Sequence, residues 1–168
     1  MYQTFEENKN YLNDKLHVSE SFDIVNREIT IGEKNAVFYF IDGFCKDEMM
    51  QKLLQFLMGL KSDDMPKNAK GLNKLLPHVE VDLSKDFEEI AKNVLCGVFA
   101  VIIEGFDECI LIDSRTYPAR GVSEPEKDKV LRGSKDGFVE TIVFNTALIR
   151  RRIRSTDLRM EMLSAGKA

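Results

Sequence analysis

The residues best suited to chemistry lie in Arg132-Gly-Ser-Lys-Asp-Gly-Phe138, directly ahead of a long helical pattern. Two glycines four positions apart, with Arg132 and Lys135 beside a helix start, can cradle a carboxylate or phosphate, because free backbone N–H groups and the helix dipole favour an anion there. The plainer reading is a glycine turn with Ser134 or Asp136 as the helix cap, and spacing alone favours it. Farther on, Arg150, Arg151, Arg152 and Arg154 crowd one helix end. Grouped guanidiniums suit the phosphates of lipid or nucleic acid. No RNP, KH or helix-turn-helix signature accompanies them, so the favoured reading is cation placement at a helix C-terminus with pairing to the acidic first part of the chain. No nucleic-acid partner is expected.

Other constellations are missing. His17 and His78 stand alone, without Cys, His or carboxylate at ligand spacing, so no metal is expected. The carboxylate runs Asp47-Glu48, Asp63-Asp64 and Glu88-Glu89 match neither a calcium loop nor a two-carboxylate catalytic pair and read as solvated faces. No GxSxG, Walker-type loop or GxGxxG turn occurs, which removes motif support for acyl transfer, nucleotide hydrolysis and dinucleotide binding. Cys45, Cys96 and Cys109 are odd in number, lack CxxC spacing and lie in or beside apolar stretches, the pattern of buried reduced thiols. No catalytic residue and no cofactor is expected, and the chain does not read as an enzyme.

The elements that must position the glycine turn and the arginine row follow from hydrophobic periodicity. Residues 22–31 alternate and 36–41 are rich in strand formers, which predicts a hairpin around Gly32–Asn35. Residues 46–61 place Met49, Met50, Leu53, Leu54, Phe56, Leu57 and Leu60 at helical spacing behind an acidic start. A short helix near 72–76, a strand at 78–83 and a helix from Lys85 to about Asn93 come next. The runs 94–103 and 109–112 predict a second hairpin through 104–107. Residues 138–154 predict a helix with Phe138, Ile142, Ile149 and Ile153 on one stripe, widened by Val139, Val143 and Ala147. Leu158, Met160 and Met162 alternate like a beginning strand.

Composition fits that outline. The 168 residues are 43% hydrophobic, with three Cys, no Trp and net charge -4, as in a globular protein with its own core. The longest apolar run, 94–103, is half of the roughly 20 residues that span a bilayer. The first thirteen residues have neither the basic start nor the apolar core of a secretory signal, so a cytosolic start is expected. Charge divides the chain: residues 1–113 carry 12 basic and 21 acidic side chains, residues 114–168 carry 12 and 7. The switch falls among Pro118, Gly121 and Pro125, which oppose regular structure. The expected organisation is a polar segment at 1–19, a first α/β subdomain at 20–113, a connector at 114–136 and the start of a second small α/β subdomain at 137–168. The fold class is α/β, a mixed β-sheet layer with packed helices.

Tyr117-Pro-Ala-Arg-Gly-Val-Ser-Glu-Pro125, followed by residues 129–153 from Lys-Val-Leu-Arg-Gly through Asp-Gly-Phe-Val-Glu to Asn-Thr-Ala-Leu-Ile-Arg-Arg-Arg-Ile, resembles the GerA family of bacterial spore germination proteins. Arg120, Glu124, Pro125, Arg132, Gly133, Gly137, Phe138, Glu140, Asn145 and Arg150 to Arg152 occupy the family's places. Ser134 stands where receptor A subunits usually have Pro, and with Phe40-Ile-Asp-Gly-Phe44 and the ending from Leu158 to Leu163 this is similar to the stage V sporulation branch. The sharp match covers 115–163. The resemblance implies the N-terminal cytoplasmic domain of a polytopic protein of the spore inner membrane, facing the core, that acts in germinant sensing, complex assembly or coupling to ion release. Implied partners are other germination-protein subunits and the protein's own membrane domain; a homo-oligomer and a small-molecule germinant are compatible with it. Without membrane helices, the chain reads as an excised soluble fragment. The implied ligand or interface residues are Arg120, Glu124, Arg132, Gly133, Gly137, Glu140, Asn145, Arg150, Arg151 and Arg152. The alternative is a module that binds a carboxylate germinant at the turn from Arg132 to Gly137.

Overall fold

Strands that are apolar at every position must be covered on both faces, and 36–41, 98–103 and 109–112 are of that kind. The computed structural model describes residues 1–78, 80–117 and 137–166, and its helices supply that cover. In chain order the elements are α1 (Phe5–Leu16), β1 (Ile24–Ile31), β2 (Lys34–Ile41), α2 (Asp47–Gly59), α3 (Ala69–Asn73), β3 (Val81–Ser84), α4 (Phe87–Leu95), β4 (Phe99–Ile103), β5 (Cys109–Ile112) and α5 (Ile142–Arg152). The strands form one sheet in the order β1-β2-β4-β5-β3. The α/β class agrees with the sequence; the sheet is antiparallel at every described pairing rather than mixed.

Alternation along each strand splits the core in two. Val37, Tyr39, Ile41, Ala100, Ile102 and Leu111 point to one face, where they meet Leu12 and Leu16 of α1, Ile90, Val94 and Leu95 of α4 and Ala147 of α5. Ala36, Phe38, Phe99, Val101, Ile110 and Ile112 point to the other, against Leu53, Leu54 and Leu57 of α2 and Ala69 and Leu72 of α3. Burying such side chains is worth about 1.5–3 kcal/mol each, and this drives the three-layer arrangement.

Several local expectations are corrected. The polar N-terminal segment carries α1, held by a capping box between Thr4 and Glu7 and by full burial of Leu12 and Leu16. Val94 and Leu95 close α4 instead of opening a strand, because they continue its apolar face from Ile90 and Ala91 until Gly97 turns the chain at φ +96°. Residues 158–162 form no strand; Met160 is tied to the chain segment that leads into β1, accepting from Phe22 N at 3.0 Å and donating to Ser21 Oγ at 3.3 Å. Helix α5 starts at Ile142 rather than Phe138; of its apolar stripe Ala147 is buried in the core, whereas Ile142 and Ile153 are exposed. Among the described residues no helix is long and apolar enough to cross a membrane.

Candidate interface at helix α5

Helix α5 lies where β1 begins and β2 ends, two chain segments joined by a bond from Asp42 N to Asp23 O of 2.8 Å. The turn after β2 is Asp42-Gly43-Phe44. Gly43 has φ +83°, and a Cβ there would stand 3.1 Å from Val143 Cγ1 and 3.3 Å from Ala147 Cβ, so glycine lets α5 come down onto the turn. Phe44 is buried, with its ring against Gly97, where a Cβ would be 2.6 Å from Phe44 Cδ2. The same ring meets Tyr117 edge-on, with centroids 5.1 Å apart. Tyr117 donates its hydroxyl to Cys96 O at 2.8 Å, and the Arg151 guanidinium covers its ring at 4.6 Å. The turn after β2, the end of α4, the start of the connector and the last turn of α5 thus form one continuous contact.

The arginine row divides. Arg150 is fully buried: Nε and Nη2 donate to the two carboxylate oxygens of Asp23 at 2.7 and 3.0 Å, and Nη1 donates to Ser155 O and Leu158 O at 3.2 and 3.0 Å. The pair is bidentate and desolvated, and it knots α5 to the start of β1 and to the chain leaving α5. Arg151 and Arg152 are exposed, Arg152 donating to Leu148 O of its own helix at 3.1 Å. Arg154 is exposed too, and caps α5 by donating to Arg151 O at 3.1 Å.

Asn145 is spent on the backbone. Its Oδ1 accepts from Val139 N and its Nδ2 donates to Val139 O, both at 2.7 Å, clamping the incoming chain to the first turn of α5. Glu140 is exposed in that incoming chain, and Gly137 has open space around it. Arg120, Glu124, Arg132 and Gly133 lie outside the described residues, as does the turn from Arg132 to Asp136.

The remaining cations mark helix ends. A cleft of about 250 Å³ is edged by Lys15 in the last turn of α1, Lys92 in the last turn of α4 and Arg154 just past α5. Each sits at the negative end of a helix dipole, which accounts for its placement without a ligand. Glu88 pairs with Lys15 at 2.5 Å, and that bond holds the lysine pKa up. Beside β5, the Arg115 guanidinium holds the Asp113 carboxyl below its usual range. Burial pushes the Cys109 thiol up to about 12 and Cys45 upward as well. Neither thiol has the low pKa of a nucleophile. Among the described residues no group of His, Cys, Asp and Glu could hold a metal ion.

Sequence reasoning placed Asn145 and the arginines on one helix but missed Asp23, Gly97 and Cys96. Only Asp23 left a signal, a lone carboxylate between Phe22 and Ile24 at a strand start.

Residues 10–168 match the family model of Bacillus/Clostridium GerA spore germination proteins. This chain belongs to the GerA family. It is 35% identical to stage V sporulation protein AF of Bacillus subtilis (strain 168) over 99% of its length, and 27% identical to spore germination protein KA of the same organism over 94%. It spans about a third of these relatives, 34% and 30% of their lengths. Its fold is similar to the crystal structure of the N-terminal domain of the A subunit of the Bacillus megaterium spore germinant receptor GerK3, with a TM-score of 0.73 at 23% identity over 99% of this chain and 61% of that one. In this fold the turn Asp42-Gly43-Phe44 seats α5, Asn145 fixes its entry and Arg150 fixes its exit.

Proposed function

We propose that this chain is the N-terminal domain of a membrane protein of spore germination, with no catalytic step of its own, that presents α5 and its flanking segments to other germination subunits and to the protein's membrane part. The observation that carries this is the 35% identity to stage V sporulation protein AF over 99% of the chain, of which the chain spans a third. The geometry supports it. Gly43, Asn145 and Arg150 serve to position one helix, which leaves Arg151 exposed on one side of it and Ile142 on the other. A motif spent on aiming an element suits a coupling or assembly surface better than a reacting centre. In this reading the domain lies at the spore inner membrane on the core side and links germinant sensing or complex assembly to ion release.

The test is Arg151→Ala and Arg132→Ala in the intact gene product of the sporulating organism. Both slow germination while the circular dichroism and thermal midpoint of the domain stay unchanged. Normal germination with a folded domain contradicts the proposal. A saturable amide shift around Gly137 on titration with millimolar amino acids assigns the turn to a carboxylate germinant instead.

A further inference from the structure

The C-terminal ends of α1, α4 and α5 meet at one cleft of about 250 Å³, lined by Lys15, Lys92, Arg154, Leu95 and Thr156, with Glu88 as its single carboxylate among the described residues. The helix dipoles account for a cation at each end, but they do not consume the three that converge here. Backbone N–H groups already close carbonyls in every last turn: His17 N bonds Asn13 O and Asp14 O, Cys96 N bonds Lys92 O and Asn93 O, and Ile153 N bonds Ile149 O. Of the three cations only Lys15 has a carboxylate partner among the described residues, Glu88 at 2.5 Å, and that glutamate side chain is 74% exposed. Lys92 follows Glu88 by one helical turn yet has no ion pair among the described residues, and Arg154 uses Nε on Arg151 O and Nη1 on Cys96 Sγ. Three positive groups against one negative leave the cleft with a surplus of two positive charges.

We propose that this cleft binds a phosphate dianion, free or as the phosphate group of a larger molecule. The charge surplus matches a dianion, and donors arriving from three separate chain segments surround a tetrahedral group better than a planar carboxylate. The Arg154 fork supplies directed N–H groups and the two ammonium groups supply compact charge. The Thr156 hydroxyl adds a donor that is not engaged elsewhere among the described residues. Glu88 competes with the anion for Lys15, and its exposure lets it swing out to water when the anion binds. The site shares no residue with the turn from Arg132 to Gly137 or with the Arg151 test above, so it stands or falls independently of the coupling role.

The test titrates inorganic phosphate, then glycerol 3-phosphate, into the chain at an ionic strength held constant with chloride, and follows backbone amides by NMR. Amides of 15–17, 92–95 and 154–156 shift together and saturate with one dissociation constant at or below about 1 mM. Lys92→Glu, an exposed change that moves the thermal midpoint by less than about 2 °C, weakens binding about ten-fold or more. Glu88→Gln, which frees Lys15 and removes a like charge, tightens binding about three-fold or more, a gain that no structural role of Glu88 gives. Phosphatidylcholine vesicles containing phosphatidic acid separate the two sources. Co-sedimentation that Lys92→Glu abolishes puts the phosphate on a lipid, and soluble binding without co-sedimentation puts it on a small molecule. Shifts that rise linearly without saturating, or equal affinities in the wild type, Lys92→Glu and Glu88→Gln, overturn the proposal.

Discussion

The two faces of the sheet are built differently. Helices α2 and α3 cover theirs with apolar side chains, and no side-chain hydrogen bond or ion pair joins either helix to a strand among the described residues. The other face is equally apolar at its centre but carries polar ties at its margins: Tyr39 Oη to Asn13 Oδ1 at 2.9 Å, Asn26 to the same oxygen at 2.9 Å, and Asp23 to Arg150. Hydrophobic packing is non-directional and sets which layer a helix joins, whereas a bidentate pair fixes angle and depth. The α2 and α3 face therefore supplies stability. The α5 face supplies position, and Asn145 and Arg150, described residues of the GerA motif, lie there.

The largest effect that sharpens this contrast comes from breaking the buried pair. Asp23→Asn leaves Arg150 buried and half-partnered, and is expected to destabilise the fold by about 3–5 kcal/mol in denaturant melts. Leu57→Ala on the other face costs a similar amount, about 2–5 kcal/mol, by opening a cavity. The two differ in kind: Asp23→Asn with Arg150→Met recovers much of the loss, because no unpaired charge remains, while no second change of charge rescues Leu57→Ala. A double variant as unstable as the sum of the singles would erase the distinction.

A smaller effect is expected at Asn145. Replacement by Ala removes two 2.7 Å bonds to Val139, for a loss of about 1–3 kcal/mol. Protease sensitivity should rise at 137–141 before it rises anywhere in the sheet. Cleavage that instead begins in α2 would show that Asn145 does not hold the entry to α5.

The smallest effect concerns acid. Arg115 holds the folded-state pKa of Asp113 below its unfolded value, so this pair contributes stability that is complete above the unfolded pKa and is lost as pH falls through the folded one. Asp113→Asn should flatten the acid limb of the stability curve below the ordinary carboxylate value of 3.8 and cost less than about 1 kcal/mol at neutral pH. An unchanged acid limb would remove the pair from the account.

Much of the fold was legible because its strands announce themselves. The runs 36–41 and 98–103 are apolar at consecutive positions, which is the mark of strands covered twice, and the helices between them have clear apolar spacing. Helix α1 was not legible, since its surface is polar and only Leu12 and Leu16, with Phe5, define its inner side. The side of α5 that meets the sheet was not legible for a physical reason: apolar spacing marks Ile142, Ile149 and Ile153, but the helix is held through Arg150, whose carboxylate partner Asp23 lies 127 residues away in the acidic first part of the chain. Motif residues were identifiable by type and spacing; their roles depended on Asp23 and Gly97, which no local pattern connects to α5.

The Asp23–Arg150 pair fixes α5 to the sheet, and hydrogen exchange of the wild type and of Asp23→Asn, followed residue by residue, is its most direct test. Amides of 142–152 are expected to exchange about ten-fold faster or more in the variant, beyond any change at 99–103 in β4. Equal acceleration in α5 and β4, or an α5 that does not change at all, would contradict it.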